Sequence, residues 1–263
     1  MTVEATSTEY LPGTAWNWRH FLAVFFAGLM GAVVGALLVT AFDLDLDSVV
    51  TNLGVLFGFQ VLGYLAAMAY LSTRVGTGNW ATDYGLCFKA SNLWGIPGGL
   101  ALQIVVGLAL APLVSWLGGD DPPQQEVGEI IADATGASST VLVFIAVVIF
   151  APLVEELLYR GMLLSWLRRV MPAWGAVAIS ALVFAGVHLL DPNAWLVVPG
   201  LFLIGLALGY VALRTGSLGL PIMLHAGVNF TAMLLALFGD EVVERLEEMQ
   251  EQLETLAAFV GLG

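Results

Sequence analysis

Val141-Leu-Val-Phe-Ile-Ala-Val-Val-Ile-Phe-Ala-Pro-Leu-Val-Glu-Glu-Leu-Leu-Tyr-Arg160 decides how this chain folds. Fourteen residues without a charge run directly into two adjacent carboxylates, and an arginine follows four positions after the second. A stretch this apolar reads as a membrane helix. Ionisable groups at membrane depth are costly, so they mark a pathway or a site. On a helix Glu156 and Arg160 are i,i+4 neighbours and can pair. Glu155 points about 100° away from Glu156. Glu156 is thus the expected partner of Arg160, and Glu155 the carboxylate left free for chemistry. Pro152 removes a backbone hydrogen bond and is expected to bend the helix and open room for water.

The rest of the chain matches this segment. Of 263 residues, 59% are hydrophobic and only 11% are charged, with a mean hydropathy of +0.90. Soluble domains carry about 25% charged residues. Spans of about 20 apolar residues are expected at Phe21–Phe42, Val49–Leu71, Leu93–Leu117, Ser139–Leu158, Ala173–Leu190, Trp195–Leu213 and Leu218–Phe238. The fold class is all-α: a polytopic transmembrane bundle of about seven spans. The formal net charge of −13 argues against nucleic acid as a partner. The single Cys87 excludes an internal disulfide and reads as inert packing.

Orientation follows from the basic residues. Arg19, Arg74, Lys89, Arg168, Arg169 and Arg214 fall on alternate connections, whereas loops 43–48, 118–138 and 191–194 contain neither Lys nor Arg. With seven spans this predicts a protein integral to the cell membrane, with its N-terminus cytoplasmic and its C-terminus external. Residues 1–18 read as a polar tail with an interfacial Trp16-Asn-Trp18. Gly31/Gly35, Gly54/Gly58, Gly95/Gly99 and Gly205/Gly209 have the spacing that lets helices approach closely. After Asp240 the apolar residues Val242, Leu246, Met249, Leu253, Leu256 and Val260 recur at 3-4 spacing among acidic residues. That pattern predicts an acidic amphipathic helix at the membrane surface, with self-association through it as a second reading.

Two further polar pairings lie in apolar surroundings, Phe184-Ala-Gly-Val-His188 and His225-Ala-Gly-Val-Asn229. Glu155 stands 16 residues before Met171, and His188 stands 16 after Pro172. If Met171-Pro172 turns two antiparallel helices, both lie roughly 24 Å from the turn. His225 lies nine residues beyond Gly216. It reaches the same level if the fourth and fifth helices project roughly 10 Å further. His225 and Asn229 share a helical face.

A carboxylate in apolar surroundings suits a general base acting on water. An imidazole and an amide on one face suit an oxyanion formed from a peptide carbonyl. A second option is zinc held by Glu155, His188 and His225, since Glu plus two His is a common catalytic ligand set. The His-Glu-x-x-His helix of soluble zinc proteases is absent. An ion- or proton-coupled transporter using the Glu pair is an alternative from another class, although no internal repeat supports it. A non-catalytic membrane scaffold is a third.

The ordered set Glu155-Glu156…Arg160, Phe184…His188 and His225…Asn229 resembles the CPBP family. That family comprises the CAAX proteases and bacteriocin-processing enzymes, including type II CAAX prenyl endopeptidases and lysostaphin-resistance-protein-A-like proteins. The resemblance implies an intramembrane endopeptidase acting on membrane-associated proteins or peptides, with its site facing the cytoplasm. It implies Glu155 as base assisted by His188, and His225 with Asn229 at the oxyanion. Both metalloprotease and metal-free glutamate–water mechanisms are associated with the family. The resemblance covers about residues 140–238; with the spans and tails read above, the expected organisation is a tail at 1–18, N-terminal spans at 19–138, a catalytic core at 139–238 and the acidic tail at 239–263.

Overall fold

In a bilayer, backbone groups without internal partners are too costly to leave in the hydrocarbon, so a chain this apolar crosses as helices. The computed structural model describes residues 16–45, 48–118, 126–132, 134 and 136–260. Seven helices among them are long and apolar enough to span. They are α1 (Trp18–Ala41), α2 (Val50–Arg74), α3 (Ala90–Gly118), α4 (Ala137–Val170), α5 (Ala173–Leu190), α6 (Val198–Thr215) and α7, whose spanning part is Gly219–Gly239. The chain is an integral, multi-pass membrane protein, and each span overlaps the one expected from hydropathy.

Three helix pairs, α1 with α2, α5 with α6, and α3 with α7, are arranged about α4. Helix α4 is the core of the bundle: 44% of its most apolar window is buried, against 6–33% in the other spans. All eight residues from Leu157 to Leu164 are buried. Glycine makes two of the pairings possible. A Cβ on Gly95 would lie 2.7 Å from the Leu224 amide nitrogen, and one on Gly99 would collide with the Leu224 carbonyl. Gly31 meets the Phe59 carbonyl of α2 in the same way. Gly54 and Gly58 do not serve such a crossing, because the atoms nearest a Cβ there, on Val50 and Leu53, belong to the same helix.

Helix α4 is not uniformly α-helical. It runs Ala137–Val143 as α, Phe144–Phe150 as π, Ala151–Glu156 as α, Leu157–Leu164 as π and Ser165–Val170 as α. The Glu155-Glu156 pair therefore ends a short α segment between two wide turns. Such π turns concentrate at functional sites. At Gly161, a Cβ would meet Tyr84 O at 3.1 Å and the Leu218 side chain at 3.4 Å. That contact puts Gly161 level with the start of α7, so the rest of α4 projects about 14 Å beyond it. The projection accounts for the level that His225 reaches.

At this end of the bundle the 75–89 connection is tied down from several sides. The Trp16 indole donates to Asp83 O at 2.7 Å and its ring stacks on Tyr84. The Tyr84 hydroxyl donates to Met68 O at 2.6 Å. Burial pushes the Asp83 carboxyl up. Hydrogen bonds from Ser72, from the amide and hydroxyl of Thr77 and from the Gly78 amide outweigh that and hold it below its ordinary value. Trp16 was expected at the interface. It is 1% exposed, because Tyr84 meets its ring and Asp83 O its N–H. Cys87, expected in packing, is exposed in the same connection.

The acidic tail forms helix as expected, but with no break after the last span: α7 continues from Gly219 to Val260. Its described side chains, including Met249 at 56%, are exposed. The expected stripe residues Val242, Leu246, Leu253, Leu256 and Val260 have side chains outside the described residues, as does the polar tail at 1–15.

Candidate active site

Glu156 is the anchor of the site. Its side chain is wholly buried, and Oε1 accepts hydrogen bonds from Arg160 Nη1 at 2.6 Å and from His225 Nδ1 at 2.9 Å. The Arg160 bond is the i,i+4 pairing expected from the sequence. The His225 bond joins α4 to α7 across 69 positions. Arg160 also donates through Nη2 to Gly205 O on α6 at 3.1 Å. Its guanidinium lies over the Phe184 ring at 4.7 Å. A buried charge must be paired and hydrogen-bonded to be tolerated, and here one ion pair uses partners on three further helices.

Phe184 organises the aromatic surroundings. It is 1% exposed, and its ring meets Tyr159, His188 and His225 edge-on with centroids 5.3–5.7 Å apart. It therefore sets the distance between the two histidines as well as packing the interior.

Glu155 has a different environment. Its side chain is 29% exposed, and Oε2 lies 3.5 Å from His225 Nε2. It borders two cavities, one toward α1 and α2 with Gln60, Tyr64 and His188, and one toward α3, α6 and α7. The second is a chamber of about 480 Å³ that also takes in His188, His225 and Asn229, a size ordinary for ligand sites.

The ring nitrogens have separate tasks. His188 Nδ1 lies 2.9 Å from Phe184 O. A carbonyl only accepts, so Nδ1 carries the proton there, and in the neutral ring Nε2 keeps its lone pair. His225 Nδ1 faces the Glu156 carboxylate, which orients the ring so that Nε2 points at Glu155. Asn229, one turn further along α7, donates its amide to Val147 O on α4 at 2.9 Å.

Glu155, His188 and His225 border one chamber but are not arranged as a zinc set. Among the described residues no group of three His, Cys, Asp or Glu side chains is placed to hold a metal ion. His225 Nδ1 on Glu156 and His188 Nδ1 on a backbone carbonyl are bonds that a metal-ligating histidine also makes; what the described residues lack is convergence of the three groups on one point, and in that respect they do not fit the metal in this arrangement.

Sequence reasoning passed over Gln103, which lines the chamber from α3. The signal was present: it is the one amide in the apolar run from Gly95 to Val114. Gln60 and Tyr64, on the other side of Glu155, were also passed over.

The α4–α7 region that carries this geometry is also where a known family matches the chain. Residues 137–231 match the Type II CAAX prenyl endopeptidase Rce1-like family. The match agrees with the resemblance to the CPBP family, and Glu155, Glu156, Arg160, His188, His225 and Asn229 all fall inside it. A protein of Escherichia coli described as an uncharacterized 24.3 kDa protein is 32% identical over 115 residues, which is 43% of this chain and 52% of that relative. The chain thus spans about half the length of the curated relative it matches. No solved structure matches it.

Proposed function

We propose that this protein is an intramembrane endopeptidase that cleaves membrane-associated proteins or peptides, with Glu155 as the base that activates water. The observation that carries this reading is the contrast between adjacent carboxylates. Glu156 is buried and charge-compensated, whereas Glu155 is partly exposed in a chamber bordered by two histidines.

A water in the chamber donates one hydrogen to Glu155 and the other to the free Nε2 of His188. Its oxygen lone pair is then aimed at a peptide carbonyl. Glu155 takes the proton as the oxygen attacks, and the developing oxyanion needs a donor. His225 supplies it from Nε2 when that nitrogen carries a proton. Glu156 holds the opposite side of the ring and compensates the charge, as a carboxylate does for a catalytic imidazolium. Collapse of the tetrahedral intermediate breaks the C–N bond, and the proton held by Glu155 passes to the leaving amine.

Purified protein, incubated in detergent with membrane-derived peptides in H₂¹⁸O, tests this. One ¹⁸O should enter each new C-terminal carboxylate, and the products should be absent with Glu155→Ala. Cleavage by Glu155→Ala at the wild-type rate would refute the reading.

A further inference from the structure

The π turn ahead of the carboxylates creates a hydrogen-bonding problem that one of the site residues resolves. The Ala151 N–H bonds to Ala146 O, five residues back. That choice removes the α-helical donor for Val147 O, which would have been Ala151. In the same i→i+5 register the next donor for Val147 O is residue 152, and Pro152 has no N–H. Both helical donors for this carbonyl are therefore missing. Such a group needs a partner from elsewhere within the membrane. Asn229 Nδ2 supplies it at 2.9 Å from α7.

We infer that Asn229 is a positioning residue, whose amide replaces the hydrogen bond that Pro152 cannot make and so holds the wide turn of α4 that presents Glu155. Val147 and Glu155 lie eight residues apart on α4, while Asn229 and His225 lie one turn apart on α7. The pair on α7 thus grips α4 on both sides of Pro152, Asn229 at the Val147 carbonyl and His225 at the two carboxylates. This assignment differs from the oxyanion role expected for Asn229. Its effect on turnover rests on Glu155 being the base, whereas the hydrogen-bond coupling to Pro152 stands on the geometry alone.

A double-mutant cycle separates the two roles. Pro152→Ala restores an N–H in the register of Val147 O, so the carbonyl no longer depends on Asn229. Asn229→Ala should lower kcat in the wild-type background with little change in KM. In the Pro152→Ala background the same change should cost at least about fivefold less, the size of coupling expected between groups sharing one hydrogen bond. Melting temperature in detergent, measured on the same four proteins, should show coupling of the same sign. It needs no catalysis, so it decides the matter even where Pro152→Ala impairs cleavage or proteolysis is not this protein's activity. Equal losses from Asn229→Ala in both backgrounds, in turnover and in melting temperature, would overturn the assignment and return Asn229 to direct contact with substrate.

Discussion

Replacing Glu156 by Gln tests the anchor of the site. The change keeps the size of the side chain and removes its charge, leaving Arg160 without its carboxylate and His225 facing only that of Glu155. Neither Glu156 nor Arg160 has side-chain exposure, so solvent does not screen the loss. Two hydrogen bonds to a charged group are weakened, at 2.6 and 2.9 Å, each worth about 1.5–3 kcal/mol. Their sum agrees with the about 3–5 kcal/mol lost when one partner of a buried ion pair is removed. At roughly 2–4 °C per kcal/mol for a domain of comparable size, the melting temperature in detergent should fall by about 6–20 °C. Cleavage should fall with it, because His225 loses its orientation. The companion Glu156→Gln/Arg160→Met should recover part of the stability, since a neutral side chain leaves no unpaired guanidinium, while cleavage stays low. If Glu156→Gln melts within about 2 °C of wild type and cleaves undiminished, the pairing is incidental and the charge argument fails.

Three further outcomes are expected. Glu155→Ala and His188→Ala should each reduce cleavage by about 10²–10⁴-fold with melting temperatures near wild type; activity within threefold of wild type in either would remove it from the assigned role. Prolonged treatment with a chelator should leave cleavage intact, and the purified protein should carry well under one zinc per chain; loss of activity restored by Zn²⁺ would show that Glu155, His188 and His225 rearrange into a ligand set. The exposed Cys87 should resist a membrane-impermeant thiol reagent on intact cells and react after permeabilisation, and in a Cys87→Ser background Thr255→Cys should label from outside while Ser7→Cys should not. The opposite pattern would invert the topology.

Legibility of the fold followed from the solvent. Hydrocarbon forces backbone pairing within each span, so a count of apolar residues located seven helices without any knowledge of their packing. The Glu156–Arg160 pair was legible because it is local: i,i+4 geometry brings the two together in any helix. The equal depth of Glu155 and His188 was likewise a matter of counting residues from one turn.

What the tertiary structure decided is everything that depends on helix rotation and on contacts across many positions. That His225 bonds Glu156 rather than standing free with Asn229 could not be read from spacing. In a membrane the lipid-facing and core-facing sides of a helix are equally apolar, so hydropathy does not say which face turns inward. Trp16 illustrates the same limit: its place at the end of a span does not say which carbonyl and which tyrosine meet it. The wide turns of α4 are the subtlest case. Pro152 announced a missing hydrogen bond, but the carbonyl left without one depends on the register before it, and its substitute donor comes from a residue 82 positions away. Sequence by itself determined the spans, the local ion pair and the identity of the chemical groups; packing alone determined their partners, because partner choice within a bilayer rests on backbone close approach and buried hydrogen bonds that no periodicity encodes.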